Sequence, residues 1–220
     1  MNKTKVIVDV GSNHGGRLDY AKEFIDIAVD NGCWAIKFQL FKNLPPNIEL
    51  PREYWPELVG YAKGRIEIFA SVFDKEAMIF LLENGANYVK FAYSMRFNTL
   101  GFPTTSLYQS YESDLPKVFI SCSPLECCQF CQEWLKLFCI PEYPVLYEID
   151  FREIFRNFEF AGFSDHTLGF VQTLNAIDHG AEYIEKHIAL NTMVKCPDWE
   201  IALKPKQLKE MMGAIKSCES

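Results

Sequence analysis

Short, nearly continuous apolar runs alternate along this chain with longer stretches in which apolar residues recur every three to four positions. The runs are rich in β-branched and aromatic residues, a pattern typical of parallel strands covered on both faces. Eight runs are predicted as strands: Val6–Val10, Trp34–Leu40, Ile66–Ser71, Tyr88–Ala92, Val118–Ser121, Leu135–Ile140, Phe158–Phe163 and Tyr183–Ile188.

The stretches between these runs have helical periodicity. The predicted helices are Arg17–Asp30, Lys75–Glu83, Thr167–Asp178 and Pro205–Lys216, the last beginning with a proline suited to a first turn. Patterns after the second, fourth and sixth strands are weaker. Cys127–Leu137 also looks helical and overlaps the start of the sixth strand.

A weak internal repeat supports the alternation. Gly32, Gly85 and Gly180 each follow a helix-like stretch, where glycine can supply a left-handed cap, and each precedes an apolar strand that ends in a charged residue. Alternating strands and helices imply a parallel sheet, and eight units can close into a barrel. We therefore predict one compact (β/α)8 TIM barrel over residues 1–220, with short connections at Phe41–Arg65 and Ser123–Leu135. A doubly wound open sheet is the alternative.

Polar residues are concentrated where the predicted strands end, which is where such barrels carry their active sites. They include Asp9, Lys37, Gln39, Ser71, Lys90, Ser121, Tyr143, Ser164, His166, Glu185 and His187. Two imidazoles from neighbouring strands suit Mn²⁺ or a similar ion, and the lysines could hold phosphate or carboxylate groups. The alternatives are that the histidines are structural and that Lys37 and Lys90 extend to the surface.

Composition limits the classes of function. The chain has 220 residues, 49% of them hydrophobic, and a formal charge of −7. The acidic balance argues against broad nucleic-acid binding but not against a locally positive pocket. The sequence contains neither a signal-peptide core nor a run of about 18 apolar residues, so we expect a cytoplasmic protein outside the membrane. The eight cysteines are expected to be reduced, with Cys128 and Cys131 packing rather than binding zinc.

Several motifs resemble those of the sialic acid synthases, in the same order. They are Val8–Gly16 (VDVGSNHGG), Lys37–Gln39 (KFQ), Gly162–Gly169 (GFSDHTLG), Ile184–His187 (IEKH) and Pro197-Asp198. The resemblance covers nearly the whole chain and corresponds to the barrel domain of that family. It implies a transferase that condenses phosphoenolpyruvate with an N-acetylated hexose, N-acetylmannosamine or a relative, to give a nonulosonic acid and phosphate.

The resemblance also implies roles for individual residues. His166 and His187 match ligands of a divalent metal, Mn²⁺ or Mg²⁺, and together with Asp9 form the expected catalytic group. The remaining matches are expected to bind substrate. Lys37, Lys90, Ser121, Ser164 and, more loosely, Ser71 match phosphoenolpyruvate contacts; Gln39, Tyr143 and Asp198 match sugar contacts; and Glu185 belongs to the same substrate-binding set.

Some positions depart from the family pattern. Asp9 stands where the family usually has Glu, Tyr93-Ser94 replaces Ser-Gly, Cys122-Ser123 replaces Thr-Gly, and Pro141 replaces a polar residue. We expect the chain to lack the family's C-terminal antifreeze-like domain, which covers the partner's site in a dimer. We therefore expect a homodimer or a separate capping domain to cover the sugar pocket. A non-catalytic sugar- or phosphate-binding homologue and a related barrel aldolase or synthase remain alternatives.

Overall fold

Eight parallel strands lie side by side in chain order, and the first also pairs with the eighth, which closes the barrel. The computed structural model describes residues 3–41, 47–95, 117–127, 132–191 and 198–219. The strands are β1 (Lys5–Asp9), β2 (Ala35–Leu40), β3 (Glu67–Val72), β4 (Tyr88–Phe91), β5 (Lys117–Cys122), β6 (Leu135–Cys139), β7 (Gly162–Asp165) and β8 (Tyr183–His187). The closed ring confirms the predicted TIM barrel and excludes the open doubly wound sheet.

Helices connect the strands and pack around them. In the described residues they are α1 (Leu18–Asp30), α2 (Trp55–Ala62), α3 (Lys75–Glu83), α4 (Phe151–Asn157), α5 (Val171–Asp178) and α6 (Pro205–Glu219). The predictions for α1, α3 and α6 are confirmed to within three residues at each end. The segment expected to hold a helix after the fourth strand includes residues 96–116, which lie outside the described ranges. None of the described helices has the length and apolar character needed to cross a membrane.

Three predicted boundaries were wrong. β7 begins at Gly162 rather than Phe158, because Phe158 ends α4 and Phe160 packs on Phe138 of β6, with ring centroids 5.6 Å apart. α5 begins at Val171 rather than Thr167, since Gly169 has a φ of +67° that no helix accommodates. The end of the predicted helix Cys127–Leu137 belongs instead to β6, and Cys128 and Cys131 lie outside the described residues.

Beneath the C-terminal strand ends, the barrel interior is filled by apolar side chains. We call these the aromatic layer: Ile7, Ala35, Phe69, Tyr88, Phe119, Leu137 and Tyr183, with Trp34 beside them. Phe69 stacks on Phe119 with centroids 5.7 Å apart, and Trp34 meets Tyr88 edge-on at 5.1 Å. Lys5 Nζ lies 5.0 Å from the centre of the Tyr183 ring and 5.4 Å from that of Trp34. The barrel is therefore solid below its polar end.

Candidate active site

One side chain from each strand forms a ring directly above the aromatic layer. In each strand, the ring residue follows by two positions a residue that lies in or beside the aromatic layer; in β7 that earlier residue is Gly162. Residues two positions apart in a strand face the same side, so both residues point into the barrel. The members of this floor ring, all buried, are Asp9, Lys37, Ser71, Lys90, Ser121, Cys139, Ser164 and Glu185. Seven of the eight carry an oxygen or nitrogen, so the ring forms a polar floor on an apolar base.

A cavity of about 540 Å³ opens above the floor ring, and all twelve residues predicted as site residues line it. They are Asp9, Lys37, Gln39, Ser71, Lys90, Ser121, Tyr143, Ser164, His166, Glu185, His187 and Asp198. Lys37 and Lys90 are almost fully buried, so the alternative that they extend to the surface was wrong. Strand alternation turns Asp165 and Lys186 away from this cavity.

Lys37 is held by two neighbouring side chains. Its Nζ lies 2.7 Å from Asp9 Oδ2 and donates to Ser71 Oγ at 2.8 Å, and it is 3.6 Å from Glu185 Oε2. Burial alone would lower the pKa of Lys37, but the charges of Asp9 and Glu185 outweigh this effect and raise it. Lys37 is therefore a fixed cation on the floor.

Glu185 joins the two lysines. Lys90 Nζ donates to both of its carboxylate oxygens at 2.9 Å, and Ser164 Oγ donates to Oε1 at 2.8 Å. Burial opposes ionisation of Glu185, but Lys37 and Lys90 hold its pKa well below the usual range. Burial lowers the pKa of Lys90, and Glu185 offsets only part of that effect. An anion entering the cavity would meet two cations already oriented by carboxylates.

His166 and His187 stand above the floor, with their ring centroids 5.7 Å apart. His166 Nδ1 lies 2.9 Å from the carbonyl oxygen of Ile140, which can only accept, so Nδ1 carries the proton and Nε2 keeps a free lone pair. Burial, followed by repulsion from His187, lowers the pKa of His166 to about 3. The ring is therefore neutral at pH 7, the form that binds metal.

His187 lies between two carboxylates. Its Nε2 is 3.6 Å from Asp9 Oδ2 and its Nδ1 is 3.7 Å from Asp198 Oδ2. The Nδ1 atom is buried without a hydrogen-bond partner among the described residues. The Tyr143 ring stacks on His166 at 4.1 Å and borders the opening of the cavity.

The described residues offer a small set of possible metal ligands. Among the described residues, no group of three or more His, Cys, Asp or Glu side chains is arranged to hold a metal ion. His166 fits a metal by protonation state and orientation, since a metal-binding histidine commonly donates its other N–H to a carbonyl. His187 contributes a second imidazole on the same side of the cavity. Within the described ranges, the two imidazoles would need to be complemented by water or substrate.

Sequence reasoning missed several residues that line the cavity. They are Cys139, Asn47, Phe73 and Ala92; Pro141, Tyr93 and Ser94, which the sequence marked as departures from the family pattern, also line it. Cys139 could have been found from alternation, because it follows inward-facing Leu137 by two positions. Burial raises the pKa of its thiol to about 12, so it contributes packing rather than a nucleophile.

Comparison with known proteins agrees with this geometry. The NeuB family model matches residues 126–220. The chain is 27% identical to the N,N'-diacetyllegionaminic acid synthase of Campylobacter jejuni, over 100% of this chain and 77% of the relative. It is also 27% identical to the human N-acetylneuraminate-9-phosphate synthase, over 97% of this chain and 70% of the relative.

Solved structures give the same result. The N-acetylneuraminic acid synthetase of Leptospira borgpetersenii, determined with citrate, superposes with a TM-score of 0.81 at 27% identity, covering 98% of this chain and 84% of that one. The spore coat polysaccharide biosynthesis protein spsE of Bacillus subtilis superposes at 0.79 with 24% identity, over 99% and 68% of the two chains, and supports the fold. The resemblance to sialic acid synthases is confirmed.

Proposed function

We propose that this chain, an enzyme related to the sialic acid synthases of the NeuB family, condenses phosphoenolpyruvate with an N-acetylated hexose to give a nonulosonic acid and phosphate. The observation that carries the proposal is the convergence of two buried lysines and two buried histidines on one cavity. Carbon 3 of phosphoenolpyruvate attacks the sugar aldehyde, water adds at carbon 2, and the resulting intermediate releases phosphate.

The floor ring supplies the anion contacts that phosphoenolpyruvate requires. Lys37 and Lys90 would provide two cations, and Ser121 would provide a hydroxyl donor at the same level, joined by Ser164 if its hydroxyl turns away from Glu185. Asp9, Glu185 and Asp198 more than balance the two lysines, so the described wall has a net charge of about −1 with neutral histidines. Phosphoenolpyruvate carries more than two negative charges. A divalent cation would therefore favour its binding as well as the chemistry.

His166 and His187 would hold that cation, Mn²⁺ or Mg²⁺. When bound, a divalent ion supplies a Lewis acid for the aldehyde oxygen. Asp9, whose Oδ2 lies 3.6 Å from His187 Nε2, would accept the proton that the attacking water loses. Gln39, Tyr143 and Asp198, above the floor ring, would contact the sugar.

The test is phosphate release from phosphoenolpyruvate with Mn²⁺ and a panel of 2-acetamido hexoses, followed by mass spectrometry of the product. Lys90→Met and His166→Ala should each lower kcat/KM by a factor of 100 or more, the scale of losing one electrostatic contact to the transition state. Lys22→Met, on α1 and paired with Glu57, is the control and should match wild type. Absence of phosphate release with every sugar would contradict the proposal.

A second candidate is a homologue that binds a sugar or phosphate ligand without turnover. Pro141 and Tyr93 favour it, because both line the cavity where the family pattern has other residues. Calorimetry separates the two functions. Ligand binding that is unaffected by metal, without phosphate release, would favour the non-catalytic homologue.

We further propose that a second protein chain covers the cavity opening. Tyr143, Leu146, Tyr147, Leu168 and Val171 are large and exposed, and a backbone bridge between Val145 and Thr167 joins the two segments that carry them. Exposed apolar surface of this kind marks interaction sites. Light scattering should give twice the chain mass if a second copy covers it. A monomer that gains phosphate release only when a capping domain is added would identify the separate partner instead.

A further inference from the structure

A buried ion pair lies behind the two histidines, on the outer face of the barrel. Asp165 of β7 and Lys186 of β8 are direct partners in the strand register, and Lys186 Nζ lies 3.2 Å from Asp165 Oδ2. Both side chains are almost completely inaccessible to solvent. Neither one lines the cavity.

Two threonines complete the hydrogen bonding of this pair. Asp165 Oδ1 accepts from the backbone N–H and the hydroxyl of Thr167, each at 2.7 Å, and Oδ2 accepts from the Thr173 hydroxyl at 2.6 Å. Lys186 Nζ also donates to the carbonyl oxygen of Thr167 at 2.6 Å. The cluster joins β7, β8 and α5, and it fixes the residue that directly follows His166.

We infer that Asp165 and Lys186 are positioning residues that set where the two histidines stand. Successive side chains of a strand point to opposite faces, so each outward charge is flanked by two residues that face the cavity. Asp165 stands between Ser164 and His166, and Lys186 stands between Glu185 and His187. His166 is additionally held by its own carbonyl, which accepts from the N–H of Val145 at 3.1 Å.

The energetics of buried ion pairs distinguish positioning from simple stabilisation. Desolvation of two charges largely cancels their attraction, so replacing both by well-packed apolar residues is often neutral or stabilising. Directional hydrogen bonds to Thr167 and Thr173 would still be lost in such a replacement. If Asp165 and Lys186 are positioning residues, the variant should remain folded while the rings of His166 and His187 change position.

The experiment compares wild type with the double variant Asp165→Leu/Lys186→Met and the single variant Asp165→Asn, each checked for folding by circular dichroism. The first readout is the ring nitrogen chemical shifts of His166 and His187 at one fixed pH, which needs no metal. The second is Mn²⁺ affinity, followed by electron paramagnetic resonance. We expect the ring signals to shift and Mn²⁺ affinity to fall by about 10- to 100-fold, as for other outer-shell changes.

The control is Asp26→Asn/Arg65→Met, which removes a partly exposed ion pair and should change neither readout. Unchanged ring signals in a folded Asp165 variant would overturn the inference. If the double variant does not fold, Asp165→Asn decides the matter, since it keeps the volume and one acceptor. The inference rests on the proposed function only for the second readout: a wild-type protein that binds no Mn²⁺ would refute the metal site, and the ring signals would still decide positioning.

Discussion

At the residue scale, Gly11 shows how closely the backbone approaches the site. It has a φ of +55°, its N–H donates to Asp9 Oδ1 at 3.0 Å, and a Cβ there would overlap Asp198 Oδ2. Gly15 has almost the same φ, +58°, but a Cβ there would meet nothing within 4 Å. The two glycines therefore share one backbone requirement and differ in what surrounds them.

This difference gives a matched pair of variants. Gly11→Ala and Gly15→Ala should each lose about 1–2 kcal/mol of unfolding free energy through the left-handed backbone. Gly11→Ala should additionally displace Asp198 and raise the KM for the sugar several-fold, whereas Gly15→Ala should leave it unchanged. Urea unfolding and initial rates measure the two effects. Equal sugar KM values in both variants would argue against a sugar contact at Asp198.

His14 is a second residue with a measurable signature. It is fully buried, its Nδ1 accepts from the Gly16 N–H at 2.9 Å, and its Nε2 has no partner among the described residues. Burial lowers its pKa from 6.5 to about 4. Between these values the unfolded chain binds a proton that the folded protein does not, so stability falls as the pH is lowered from 6.5 towards 4.

The expected contribution follows from this shift. Between pH 7 and pH 4, His14 should account for a loss of about 3 kcal/mol of unfolding free energy, because each pKa unit is worth about 1.4 kcal/mol. His14→Asn retains an acceptor for Gly16 and should flatten the pH dependence by that amount, measured by urea unfolding at each pH. Above pH 7 the slopes of the two proteins should coincide. Identical slopes below pH 6 would refute the assignment.

At the element scale, the apolar runs predicted the existence of the strands more accurately than their first residues. Phe158 and Phe160 were predicted as strand residues because aromatic side chains that pack between the barrel and its helices give the same apolar pattern in the sequence as a strand does. Thr167 was predicted to begin a helix because the sequence does not show that its N–H and hydroxyl donate to Asp165 instead. The glycine repeat was more informative: Lys37, Lys90 and Glu185 each lie five residues after their capping glycine, and all three reach the floor ring.

Contact between β7 and β8 depends on Gly162, the first residue of the GFSDHTLG motif. A Cβ at Gly162 would overlap the backbone carbonyl of Tyr183 in β8. Gly162→Ala should therefore push the strands apart and cost about 1–3 kcal/mol or more, as overpacking does. Mn²⁺ affinity should fall with it, because the histidines follow these strands.

Gly60 of α2 is the control for that substitution. A Cβ there meets nothing within 4 Å, so Gly60→Ala should stabilise the protein by up to about 1 kcal/mol through helix propensity. Thermal unfolding of the two alanine variants should move in opposite directions. A Gly162→Ala protein as stable as wild type would show that β7 and β8 can separate without cost.

At the scale of the whole molecule, barrel closure gathers residues that are far apart in the sequence. Strand ends predicted eleven of the twelve predicted site residues that share the cavity, because every strand of a TIM barrel ends on the same face, and the family resemblance added Asp198. The pairing of Lys37 with Asp9 and of Lys90 with Glu185 could not be predicted, since it depends on the stagger between strands. The outward ion pair of Asp165 and Lys186 was missed for the same reason.

The aromatic layer has a kinetic consequence. Because it closes the barrel from below, the part of the chain that the structure describes leaves the cavity open at the strand ends, and a molecule bound near that opening blocks any bound beneath it. If the proposed function holds, phosphoenolpyruvate at the floor ring should bind before the sugar. A non-reactive sugar alcohol should inhibit uncompetitively with respect to phosphoenolpyruvate and competitively with respect to sugar, and noncompetitive inhibition against phosphoenolpyruvate would indicate random binding instead.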